Sequence, residues 1–127
     1  MMPIHRLLLL LLVSGVVPAG QAADGPPAGE RDPSEMTVEE RMTIMQRMND
    51  YHGCVYKEAM ARVENTPDIR QAADQGMAAC RAALDTLQGT IDGFGFEPAF
   101  GEQFVHHAQS RAVKMLMPEL SMRKGGQ

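Results

Sequence analysis

The chain has 127 residues, enough for one domain, and carries 12 Lys and Arg against 16 Asp and Glu, a net charge of −4. That mildly acidic balance argues against a nucleic acid or an anionic membrane as partner, because either would call for a basic face. Aromatic residues make up 5% of the chain and tryptophan is absent, so a packed interior must draw on smaller or softer side chains.

The first residues read as a secretory signal peptide over 1–22. A short head ending in His5-Arg6 precedes the apolar run Leu7 to Val17, and small residues follow at Ala19, Gly20 and Ala22. The run is 11 residues long, short of the ~20 that span a bilayer, so cleavage is expected rather than anchoring. Cleavage after Ala22 places Gly20 and Ala22 at the small-residue positions, and the loss of Arg6 takes the net charge from −4 to −5. The expected location is periplasmic or secreted, with no membrane insertion of the mature chain.

Residues 23–36 follow as a disordered tail. Pro26, Pro27 and Pro33 with Gly25 and Gly29 leave little apolar surface to bury. A helical domain is expected over 37–124. Thr37 and Glu40 have capping-box spacing, and a first helix runs over about 38–64 with Val38, Met42, Met45, Met48, Val55, Ala59 and Val63 as its apolar stripe. Asn65 suits a left-handed stop. Thr66-Pro67-Asp68 restarts a helix over about 67–88, with Thr66 as cap and Gly89 as terminator. A connection this short makes the two helices antiparallel neighbours. Gly89 to Glu97 reads as a loop holding Phe94 and Phe96. A third helix over 98–117 carries Phe100, Phe104, Ala108, Ala112 and Met115, and Pro118 ends or kinks it. Leu120 and Met122 suit one further turn, and residues 125–127 fray. The fold class is therefore all-α, a three-helix domain built on a disulfide-linked antiparallel helical hairpin with a flexible N-terminal tail.

Cys54 and Cys80 are the two cysteines, and an oxidising compartment pairs them. A turn centred on Asn65-Thr66 sets Cys54 level with Met77, leaving Cys80 ~4.5 Å further along, within reach of a bridge. Cys54 lies off the methionine stripe, which implies that the first helix is covered on two sides. The bridge matters because Leu, Ile, Val and Phe number 16 after signal removal, about 15% of the mature chain. A core short of aliphatic side chains leans on alanine and methionine, and self-association would cover part of what remains.

Few residue patterns suggest chemistry. Met42, Met45 and Met48 recur every three positions and His52 follows, a soft set suited to copper(I) as an alternative to plain core packing. Glu102 and His106 share a helix face, but adjacent His106 and His107 point ~100° apart and no second pair completes a zinc site. Ser34, Ser110 and Ser121 lack a nucleophile-elbow context, and paired cysteines are inert. Gly93-Phe94-Gly95 lacks the strand and the Lys-Ser/Thr of a phosphate loop. Phe94 and Phe96 either close over the hairpin as core or offer a surface to a protein partner. The expected function is a non-enzymatic protein-binding or structural module of the cell envelope, with no cofactor. Its partner is an unknown protein or a second copy, and the alternative is a copper(I)-binding protein using the methionine stripe.

Overall fold

A computed structural model describes residues 29–125; the expected signal peptide and residues 126–127 lie outside them. Four helices account for the domain: α1 (Val38–Arg62), α2 (Ile69–Ala79), α3 (Arg81–Gly93) and α4 (Pro98–Gly125). Short 3-10 turns occupy Pro33–Glu35 and Val63–Asn65. Among the described residues the fold is all-α, with one isolated bridge pairing Arg31 and Phe96.

The capping box at the start of α1 is present in full. The Thr37 hydroxyl accepts from the Glu40 amide at 3.1 Å, and Glu40 accepts from the Thr37 amide at 3.0 Å. The second cap is shifted. Asp68, not Thr66, caps α2 by accepting from the Gln71 amide at 2.8 Å, so the helix begins at Ile69 rather than Pro67. Thr66 turns inward and is buried beneath the corner. Asn65 is not left-handed; the turn into the corner is 3-10 instead.

The expected second helix is two helices. Cys80 leaves helical geometry, with φ −102° and ψ 17°, where the disulfide ties it to α1. Its amide is shared between the carbonyls of Gly76 and Met77, both at 3.2 Å, so hydrogen bonding crosses the break. Gly89 does not stop α3, which continues to Gly93. The chain reverses at Gly95, whose φ of +86° lies where a side chain is disfavoured. Pro118 does not end α4 either. It costs one backbone donor, but Pro118 and Lys114, whose carbonyl it leaves free, are both exposed, and the helix runs on to Gly125. The last turns are anchored: Leu120 is buried, Arg123 pairs with Glu64 at 3.3 Å and the Lys124 ammonium donates to the Thr66 carbonyl.

The tail is corrected as well. From Gly29 the chain is docked, because Gly29 and Arg31 both donate to the Gly95 carbonyl at 3.0 Å and Glu97 donates to Arg31 at 3.3 Å. Arg31 explains why so polar a segment stays in place. It forms a bidentate pair with Glu40, donates to the Phe94 carbonyl at 2.6 Å and stacks over the Phe96 ring at 4.6 Å.

The buried stripe of α1 is Ile44, Met48, Tyr51, Val55 and Ala59, continued by Val63 in the 3-10 turn that follows. Met48, Val55, Ala59 and Val63 are buried as expected, whereas Val38, Met42 and Met45 stay outside and Ile44 and Tyr51 take their place. The disulfide supplies the reason. Cys54 and Cys80 bridge α1 to the α2–α3 joint with a Cα separation of 5.9 Å, so the side of α1 bearing Cys54 must face inward. Ala72, Ala73, Leu84, Leu87 and Ile91 meet it from α2 and α3, and Ala108, Ala112, Leu116 and Leu120 from α4. The α1–α2 approach is close at Gly76, where an added Cβ would lie 2.9 Å from the Ala59 Cβ.

Helices α1 and α4 run parallel. His52 meets Ala108, and Glu64 meets Arg123, so register rises together along both. They leave a groove between them on the outside of the domain.

Candidate functional site

The N-terminal half of the expected α1 stripe is left outside the core, with a direct consequence for the surface. Val38, Met42, Met45 and Tyr56 are all exposed large apolar residues, Met42 at 68% and Met45 at 42%. Spacings of four and three residues place Val38, Met42, Met45, Asn49, His52 and Tyr56 on one line along the helix, ~27 Å long at 1.5 Å per residue. The strip lies beside the buried stripe, so α1 has more apolar width than its own domain covers.

The strip ends at a cleft in the α1–α4 groove. The cleft has a volume of about 170 Å³, with His52, Val55 and Tyr56 on one wall, Ala112, Met115 and Leu116 on the other and Glu119 at its edge. That volume suits one side chain rather than a metabolite, for which a few hundred Å³ is usual. The His52 ring is fixed there, its Nε2 donating to the Ala108 carbonyl at 3.1 Å. A carbonyl can only accept, so this nitrogen carries the proton. Met115 and Met122 are exposed on α4.

The four residues considered for copper(I) do not come together. Met48 is 4% exposed and belongs to the core, whereas Met42 and Met45 face solvent. Met42 and His52 stand ten residues apart on an unbroken helix, ~15 Å, too far to share one ion. Among the described residues no group of three His, Cys, Asp or Glu could hold a metal ion. His106, His107 and Glu102 are exposed on α4.

Phe94 and Phe96 are divided. Phe96 is 1% exposed and forms edge-to-face contacts with Phe94 and Phe100, the latter touching Phe104 in turn. Phe94 is half-buried against the same cluster. The loop phenylalanines thus close the end of the hairpin beneath Arg31, and Phe96 presents nothing to a partner. Cys54 and Cys80 are joined, and no free cysteine remains among the described residues. Ser34, Ser110 and Ser121 lie exposed.

Sequence reasoning missed Tyr56 and placed Met115 in the core. The signal was available in the heptad spacing that links Val38 to Tyr56, a longer pattern than the three-residue methionine repeat. Neither a protein-family model, nor a curated protein, nor a solved structure matches the chain. Among the described residues no helix is long and apolar enough to cross a membrane.

Proposed function

We propose that this chain is an exported, non-enzymatic helical module that works by binding protein, with the outer strip of α1 as its contact surface. The observation that carries the proposal is the line on which the large apolar side chains Val38, Met42, Met45 and Tyr56 are left in solvent, with polar Asn49 and His52 between the last two, leading into a side-chain-sized cleft. Contiguous exposed apolar surface on a small domain marks an interaction site, and methionine suits such surfaces because it adapts to its partner. Export rests on the basic head, short apolar run and small-residue cleavage pattern of residues 1–22. The cystine supports it, since such bridges persist in oxidising compartments. The periplasm or the cell exterior is the proposed location.

The test is site-specific photocrosslinking in the native cell. A photoreactive residue at Met45 or Tyr56 should form a defined adduct, while one at exposed Asp85 on α3 should not. Absence of an adduct at Met45 and Tyr56, or equal labelling at Asp85, sinks the proposed surface. Export is checked separately: intact mass should show a chain beginning at Ala23 and lighter by two hydrogens than its reduced form.

A further inference from the structure

Building on the proposed α1 contact surface, we infer that its occupant is a second copy of this chain, docked antiparallel, α1 against α1. Of six seam positions, Val38, Met42, Met45, Asn49 and Tyr56 are exposed, and His52 is half-buried with its ring held on the Ala108 carbonyl. The next two in the same spacing, Ala59 and Val63, are buried inside. A seam with this four-three spacing is what one helix presents to another, knobs into holes. In a two-fold antiparallel pair the free seam closes on itself. Val38 meets Tyr56 of the second copy, Met42 meets His52, Met45 meets Asn49, and each layer is repeated on the other side of the axis.

Charge chooses the antiparallel arrangement. Glu39 and Lys57 each follow a seam position by one residue, so both stand on the same flank of α1. Antiparallel docking brings Glu39 of each copy beside Lys57 of the other, offset by ~3 Å along the axis. Gln46 meets its own mate at the two-fold axis, so no like charges meet on that flank. Parallel docking would instead set this flank against the opposite flank of the second copy, so Glu39 and Lys57 would not meet and the attraction would be lost.

Two further features fit the same arrangement. The cleft beside His52 and Tyr56 lies level with the incoming Val38, which is 69% exposed and of a size to enter it. Gly53 sits exposed in the middle of α1, with no atom of the described residues within 4 Å of an added Cβ. Its own fold gives no reason for a glycine there, and an interior glycine weakens a helix. In the antiparallel pair Gly53 lies beside Glu39 of the second copy, where the absence of a side chain leaves room for the Glu39–Lys57 contact. One helix pair ~27 Å long is a small interface, so micromolar association is expected.

Sedimentation of the purified mature chain over a wide concentration range tests this. A reversible monomer–dimer equilibrium is expected. Met45→Glu should weaken it at least tenfold by bringing two carboxylates to the axis, with far-UV circular dichroism unchanged. Glu39→Lys and Lys57→Glu should each weaken it several-fold, and the double variant should recover the parent affinity. A dimer unaffected by Met45→Glu overturns the α1 interface. Loss with Met45→Glu but no recovery in the double charge variant overturns the antiparallel pairing. A monomer at every concentration overturns self-association. If a Met45 crosslinker in the cell then still captures a different chain, the proposed binding function survives; if it captures nothing, that function falls as well.

Discussion

Arg31 holds Glu40 by both carboxylate oxygens, at 2.8 and 3.1 Å, while the same carboxylate closes the capping box on Thr37. One arginine thereby joins the segment before α1, the first turn of α1 and the α3–α4 turn. Replacing Arg31 with alanine is expected to release residues 29–36. Limited proteolysis should then cut within that segment, where the parent chain resists, and the melting temperature should fall. Arg31→Lys should not restore protection, because an ammonium lacks the planar fork that grips both oxygens.

The same pair predicts an acid response. The Arg31 guanidinium, and then the Thr37 amide, hold the Glu40 carboxyl below the usual carboxylate range. A depressed folded value contributes stability that is fully present above the unfolded value of about 4.3 and lost as pH falls through the folded one. Glu40→Gln should therefore be less stable than the parent at pH 7, and the difference should shrink as pH drops below about 4. Urea unfolding at a series of pH values measures it.

Gly76 sits where α2 crosses α1, and a Cβ there would lie 2.9 Å from both the Ala59 Cβ and the Ala59 amide nitrogen. Backbone cannot yield as a flexible side chain would. Gly76→Ala should destabilise by about 1–3 kcal/mol through overpacking. Gly89 is the control: it is helical, exposed and has nothing within 4 Å of an added Cβ. Gly89→Ala should stabilise by about 0.5–1 kcal/mol. Paired denaturation curves decide both.

Tyr51 is fully buried, and its hydroxyl has no hydrogen-bond partner among the described residues. Burial pushes its ionisation up, opposed by Arg81, so the phenol stays neutral. A buried polar atom without a partner costs about 1–3 kcal/mol. Tyr51→Phe keeps the ring and removes that cost, so thermal unfolding should show a gain of about 1 kcal/mol. A loss of similar size would mean the hydroxyl is satisfied after all.

The Cys54–Cys80 bridge spans 26 residues of chain. On the chain-entropy model a loop of that length is worth about 3–4 kcal/mol. Replacing both cysteines with alanine should lower stability by about that amount, read by denaturant unfolding. Amide hydrogen exchange should rise first around the α2–α3 joint, where Cys80 loses its tether.

Much of the skeleton was legible in residues close together along the chain. The Thr37–Glu40 cap, the short α1–α2 corner and the pairing of the cysteines all depend on local spacing. The buried face of α1 was not, because two apolar stripes overlap there. Met48, Val55 and Ala59 fit both, but Val38, Met42 and Met45 compete with Ile44 and Tyr51, and helical period favours neither. The bridge decides between them by turning Cys54 inward, information that periodicity alone does not contain. Arg31 was invisible for a different reason: its partners lie nine residues away at Glu40 and 63 away at Phe94. Pro118 misled because its cost depends on whether that face of the helix is buried or exposed, which only the tertiary arrangement reveals.

The parallel course of α1 and α4 also separates the two ends of the described chain. Gly29 lies against Gly95, just before α4 begins, and Lys124 closes on Thr66 at the far corner. Twenty-eight residues of helix lie between these poles, ~42 Å at the usual rise. Dyes placed at Glu30 and Lys124 would therefore act as a molecular ruler along the long axis, with energy transfer rising sharply if the domain collapses or swaps an arm. An affinity tag on the Gly125 pole would stand well clear of the Arg31 clasp.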